Sequence, residues 1–214
     1  MFRALLNDKI GNLVRLYSSR VEHLSLTKLL KLLYLTDEMA VRETGTPVTW
    51  LEYRAWKNGP VPADIYQEIK HNERFAIGTH FISLDDYIEI ERTKNPRRDE
   101  QEEIFIRPKG KTDMGIFSDY EAELFERIIK EYGHLNAKQL VEMLHRQGSL
   151  WHKVVEENQL ALNFELFQNT SNCIIDFSDL IEDNEMLKMA AHSAFESLYF
   201  HKSLYENQLQ NENA

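Results

Sequence analysis

The 214 residues contain one cysteine, Cys173, so neither an internal disulfide nor a cysteine-rich zinc site is available. No apolar stretch approaches the roughly 20 residues that a membrane-spanning helix needs. The opening Met1-Phe2-Arg3-Ala4-Leu5-Leu6-Asn7-Asp8-Lys9 meets charge too early to hold a signal-peptide core, so the expected location is cytoplasmic. The glycines form no phosphate-binding loop, no serine sits in a Gly-x-Ser-x-Gly elbow, and a His-Glu-x-x-His helix is missing. Those absences exclude the commonest nucleotide, hydrolase and zinc-protease chemistries.

The residues able to do chemistry do not assemble into a constellation. His145 and His152 are two helical turns apart, but Gly148 interrupts them and no acidic residue stands at ligand spacing,. His192 and His201 fall on a helix that already has an apolar face. Cys173, beside Ile174, Ile175 and Phe177, reads as a buried small hydrophobe and not a nucleophile. Pairs such as Asp85-Asp86, Glu102-Glu103 and Glu182-Asp183 are ordinary in an acidic chain. The expectation is a protein that is not an enzyme and uses no cofactor and no metal.

The charge is unevenly placed. Residues 1–110 balance 17 basic against 17 acidic side chains, whereas 111–214 carry 8 against 18, so the whole net charge of −10 belongs to the second part. An acidic half repels phosphate backbones and suits a basic partner, or serves simply as a solvated face. Residues 118–147 read helix, turn, helix, the arrangement of many DNA readers. Glu121, Glu123, Glu126, Glu131 and Glu142 outweigh Lys138 and Arg146 there, and ordinary helix packing is the better explanation.

Periodicity gives the fold class. Leu6, Ile10, Leu13, Val14 and Tyr17 share a helical face, and Ser25 caps a second helix carrying Leu26, Leu29, Leu30, Leu33 and Ala40 until Gly45 and Pro47 stop it,. The segment 50–56 alternates and is aromatic, predicting a short strand with Leu51, Tyr53 and Ala55 on one face and Trp50, Arg54 and Trp56 on the other,. Gly59-Pro60-Val61-Pro62 forms an extended elbow launching a helix with Ile65, Tyr66 and Ile69,. Tyr87–Glu91 and Glu103–Arg107 predict an antiparallel pair joined by the charged loop Lys94–Glu100,. Ser118 and Glu121 make a capping box, Gly133 ends that helix, and Asn136 caps another that runs to Gly148,. Residues 160–177 alternate too briefly to assign. A last helix runs from about Asn184, and Asn207 to Ala214 should fray,. The prediction is an α+β protein, mainly helical, with a small antiparallel sheet around 87–107.

One block carries more than periodicity. Lys28-Leu29-Leu30-Lys31-Leu32-Leu33-Tyr34-Leu35-Thr36-Asp37 is followed by Gly45-Thr46-Pro47, Tyr53, Ala55, Asn58-Gly59-Pro60-Val61-Pro62 and Ile65-Tyr66. With Glu121 through Tyr132, Asn136–Leu140, Leu144-His145 and Trp151, it resembles the Panacea domain family of SocA-like antitoxins, many first described as phage-associated proteins. The resemblance covers about residues 5–160 and implies a helical α+β domain that binds and neutralises a protein toxin encoded nearby, without catalysis. A family member that delivers its toxin to a Clp-type protease makes a delivery role a variant of the same reading. The implied organisation is a Panacea-like domain over 1–165 and a C-terminal helical extension over 166–214 packed on it. Tyr34, Asp37, Tyr53, Gly59, Pro60, Val61, Pro62, Tyr66, His145 and Trp151 are the motif positions, structural or functional. Partner contact is expected at Trp50, Arg54, Trp56 and Lys57, because aromatic and arginine side chains anchor interfaces. The alternative is a nucleic-acid-binding or phage-associated regulator without catalytic activity.

Overall fold

The computed structural model describes residues 2–71, 75–77, 80–94, 102–181 and 184–197. Helix α1 (Phe2–Arg20) leads through a turn into α2 (Leu26–Thr44). Ser25 caps α2 by accepting from the Lys28 N–H, and Gly45 closes it in the left-handed region at φ 75°,. Every residue of α2 from Lys28 to Asp37 is buried. A helix covered on all sides lies at the centre of a core. It packs against the strand Gly59–Pro62, against α4 (Asp119–Tyr132) and α5 (Ala137–Leu144), and against a 3₁₀ turn at Phe177–Leu180.

The aromatic segment and the proline elbow are one β-hairpin. Strand β1 (Tyr53–Trp56) pairs antiparallel with β2 (Gly59–Pro62), in the register Trp56↔Gly59, Ala55↔Pro60, Arg54↔Val61 and Tyr53↔Pro62. The elbow expected from the sequence is thus itself a strand. Backbone groups of alternate residues in an antiparallel strand point to opposite sides. Ala55 and Tyr53 turn theirs away from β2, toward Cys173 and Ile175. Their partners Pro60 and Pro62 therefore sit where no ladder N–H is wanted. Helix α3 (Ala63–His71) follows directly.

Two further antiparallel pairs complete the sheet pairing of the described residues: β3 (Phe75–Ile77) with β4 (His80–Ile82), and β5 (Ile88–Lys94) with β6 (Glu102–Pro108). The last is the pair anticipated from alternation, with Ile88, Ile104 and Ile106 buried and Glu91 bonded to Arg107 on the wet side. Its connecting loop, 95–101, lies outside the described residues. Ile106 also donates its N–H to the Leu24 carbonyl, joining β6 to the α1–α2 turn. Tyr87 lies over Gly11 so closely that a Cβ there would stand 2.5 Å from the ring. A glycine in the middle of α1 is what lets β5 approach.

The capping boxes at Ser118–Glu121 and Asn136–Gln139 are both formed. α5 stops at Leu144, short of Gly148, and Ser149 caps α6 (Leu150–Glu157). The ambiguous stretch after 160 begins as helix α7 (Leu160–Leu166), with Leu160 and Phe164 inward. Residues 169–175 then run along the outer edge of β1, and residues 185–197 form α8. The polar end, Asn207 to Ala214, lies outside the described residues. Among the described residues no helix is long and apolar enough to cross a membrane.

Gly59 has φ +95°, and a Cβ there would stand 3.2 Å from both Cε and Nζ of Lys31, a buried side chain with little freedom to move. Gly59→Val should therefore cost about 1–3 kcal/mol, lowering Tm by several degrees, while Lys57→Ala at the exposed tip leaves it nearly unchanged. Calorimetry of both variants checks this; equal melting temperatures would sink it.

Candidate functional site

The motif positions converge on the polar atoms of α2. The Asp37 carboxylate is fully buried and accepts from the N–H groups of Val48 and Thr49 at 2.8 Å each, from the Thr49 hydroxyl, and from the Tyr53 hydroxyl at 2.8 Å. These bonds fold the chain leaving α2 back onto the helix and aim it into β1. Trp50 takes up the tight reversal with a left-handed φ of 55°. Burial pushes Asp37 up to about 6 even against those four donors,. Tyr53 also joins Tyr34 and Phe177 in a three-ring cluster with centroids 5.3–5.4 Å apart. Both tyrosine hydroxyls are pushed well up by burial.

Two turns earlier on α2, Lys31 is 1% exposed, and its Nζ donates to the Pro60 carbonyl at 2.7 Å. Desolvation lowers it to about 7. The missing side chain of Gly59 leaves the space in which Lys31 Nζ and His145 Nε2 both approach. That nitrogen of His145 is buried and unpartnered, and burial followed by the charge of Lys31 lowers the imidazole to about 4. Its ring stacks flat on Trp151 at 3.7 Å, and the Trp151 indole N–H donates to the Trp56 carbonyl at 2.8 Å. The hairpin is thereby clamped from α2 by Lys31 and from α6 by Trp151. Val61 and Pro62, in its second strand, are buried.

The outward residues are placed differently. Lys57 is exposed at the hairpin tip. Trp50, Arg54 and Trp56 are each half-buried, whereas the sequence pattern alone would leave at least one of them free. Residues 169–175 cover the strand: Lys57 N–H donates to the Asn169 carbonyl, Ala55 N–H to Cys173 and Ile175 N–H to Tyr53, each at 2.8–2.9 Å. The Trp56 indole donates to the Ser171 carbonyl, Ser171 donates to the Ala55 carbonyl, and Arg54 reaches Asn172 and Glu52. Trp56 also meets Tyr66, itself half-buried, edge to face at 4.9 Å. Trp50 stands apart from this group, against Phe195 of α8 at 5.4 Å. Cys173, expected in the core, is half-buried because its backbone follows the strand edge.

Seven of the ten motif positions thus fall into two linked clusters, Asp37–Tyr34–Tyr53 and Gly59–Pro60–His145–Trp151; Tyr66 is attached through Trp56, and Val61 and Pro62 continue β2. Sequence reading missed Lys31, Thr49, Phe177 and Ser171 as members. A usable signal existed for Lys31, a charged residue inside an otherwise apolar run on a helix. Chemically the arrangement positions a hairpin. Lys31 is enclosed, and the carboxylate of Asp37 is saturated by donors.

Lys31 provides a pH test. Its folded value near 7 lies below the ordinary lysine value of 10.5, so between those values the unfolded chain holds the extra proton. Stability then rises with pH across that window, by up to about 1.4 kcal/mol per unit. Urea unfolding at pH 7 and pH 9, below the ionisation of unfolded tyrosines, should show the wild type gaining stability on Lys31→Met as pH rises. A pH-independent difference between the two proteins would refute it.

Comparison with known proteins adds one match. The family model described as "Antitoxin SocA-like, Panacea domain" matches residues 29–152, the stretch running from α2 through the hairpin and α5 to the start of α6. No curated protein and no solved structure matches the chain. The matched stretch is more than half of the chain and contains every motif position described above, so the protein belongs to the SocA-like antitoxin family with a Panacea domain.

Proposed function

We propose that this protein neutralises a protein toxin, encoded nearby, by binding it in the cytoplasm and without catalysis. Family membership over residues 29–152 carries the reading. The site supports it in kind: Lys31 and Asp37 are engaged in orienting a hairpin, and the hairpin presents Lys57 and the open sides of Arg54 and Trp56 to a partner, with Trp50 just before it. Rigid, preorganised aromatic groups lose little freedom on binding. Delivery of the captured toxin to a Clp-type protease is the variant in which neutralisation ends in degradation. In this proposal residues 1–165 form the Panacea-like unit and 166–214 an extension that adjusts its partner surface.

The test is genetic and then physical. Expressed alone, the product of an adjacent reading frame should stop growth; co-expressed with this protein it should not, and the two should copurify. The Arg54→Ala/Trp56→Ala double variant, with its fold checked by circular dichroism, should lose rescue. A harmless neighbour, or purified protein that instead shifts DNA at moderate salt, would overturn the reading. Loss of toxin in the cell only when a Clp protease is present would select the delivery variant.

A further inference from the structure

Helix α7 is apolar on two opposite sides. Leu160 and Phe164 pack inward at 8% and 6% exposure, whereas Leu162 and Leu166, one turn apart on the other side, are 61% and 59% exposed. Phe167, which donates its N–H to Asn163 to close the last turn, is 79% exposed. The outer side of a surface helix is normally polar. Large apolar side chains gathered there mark a contact surface, in a way that scattered ones do not.

The surroundings decide which kind of partner fits. Residues 153–197 carry nine acidic side chains against two lysines and no arginine. Of those lysines, Lys153 is already bonded to Asp179. Glu156, Glu157 and Glu165 are exposed on α6 and α7. A second copy of this chain would bring the same negative field, and a net charge of −10, against it. A basic partner would find an apolar seat with a complementary rim. The surface is also continuous with the hairpin: two residues after Phe167, the Asn169 carbonyl takes the Lys57 N–H. It lies beyond residues 29–152, where the family model stops. Such a position suits a surface that selects this chain's own partner.

We propose that the outer face of α7, Leu162, Leu166 and Phe167, with Glu165 on the same helix and the exposed Glu156 and Glu157 on the helix before it, is the docking surface for a basic protein. The proposal deepens the toxin-binding reading and rests on it for the partner's identity. The apolar side chains supply the anchoring contact, and the glutamates speed encounter and reject acidic proteins.

The full chain carrying the photocrosslinker p-benzoylphenylalanine at position 167 tests this in its own cells, with the same probe at exposed position 89 on β5 as control. The expected adduct from position 167 alone is one protein, identified by mass spectrometry, with more Lys and Arg than Asp and Glu. Purified, that protein should bind Leu162→Ser/Leu166→Ser at least about tenfold more weakly than wild type, with Tm unchanged, and bind wild type more weakly as salt rises. An adduct with a second copy, an adduct with an acidic protein, no adduct, or unaltered affinity of the double variant would overturn it. Toxicity of the captured protein is scored separately: a harmless basic partner that meets these criteria removes the toxin reading and leaves the surface in place.

Discussion

Burying the polar side chains of α2 is the constraint on which the rest of the fold depends. From Lys28 to Asp37 no position reaches solvent, yet Lys28, Lys31, Thr36 and Asp37 all need partners, because an unpaired buried polar group costs several times what a hydrogen bond returns. Each finds its partner on a different piece of chain. Lys28 donates to the carbonyls of Glu22 and Gly133, Lys31 to that of Pro60, and Thr36 bonds Tyr17, while Asp37 collects Val48, Thr49 and Tyr53. Hydrophobic burial is non-directional and would allow the surrounding elements many seats. These bonds reduce the choice to one.

Most motif positions pack against or bond to one another in the interior. Tyr34, Asp37, Tyr53, Gly59, Pro60, His145 and Trp151 make an internal lock whose parts must match one another. Desolvation pushes Lys31 down and Asp37 up, so both are held against their own solvation by their partners. Such a lock tolerates few changes, whereas the outer sides of the hairpin and of α7 are free to differ.

Local signals are legible in the sequence itself. Alternation at 87–91 and 103–107, the capping box at Ser118, the cap at Asn136, and Gly45 beyond α2 are each decided within a few residues. The hairpin was half visible: alternation marked β1, and the prolines marked extended chain at β2. Their pairing depends on Lys57 and Asn58 forming the turn between them. The outward group Trp50, Arg54 and Trp56 was legible as a face, but its half-burial was not. What covers it, 169–175, is a polar stretch running into Cys173-Ile174-Ile175 with no alternation, paired through backbone groups that look alike in every sequence. α7 was illegible for another reason: with apolar residues on two faces, Leu160, Leu162, Phe164 and Leu166 mimic a strand's period.

The sequence by itself determined the class of the protein, helices α1 to α5 with the caps at Ser25, Ser118 and Asn136, the β5–β6 pair, the family motif and the acidity of the second half. All of these are properties of composition or of neighbours a few positions apart, where propensity and periodicity act directly. Only the tertiary structure decided that Lys31 meets Pro60 and the edge of His145, that Trp151 holds the Trp56 carbonyl, and that Asn169 to Ile175 close the edge of β1. Those contacts join residues about 30 to 120 positions apart. Whether such a contact forms depends on where every intervening element packs, and no local pattern records that.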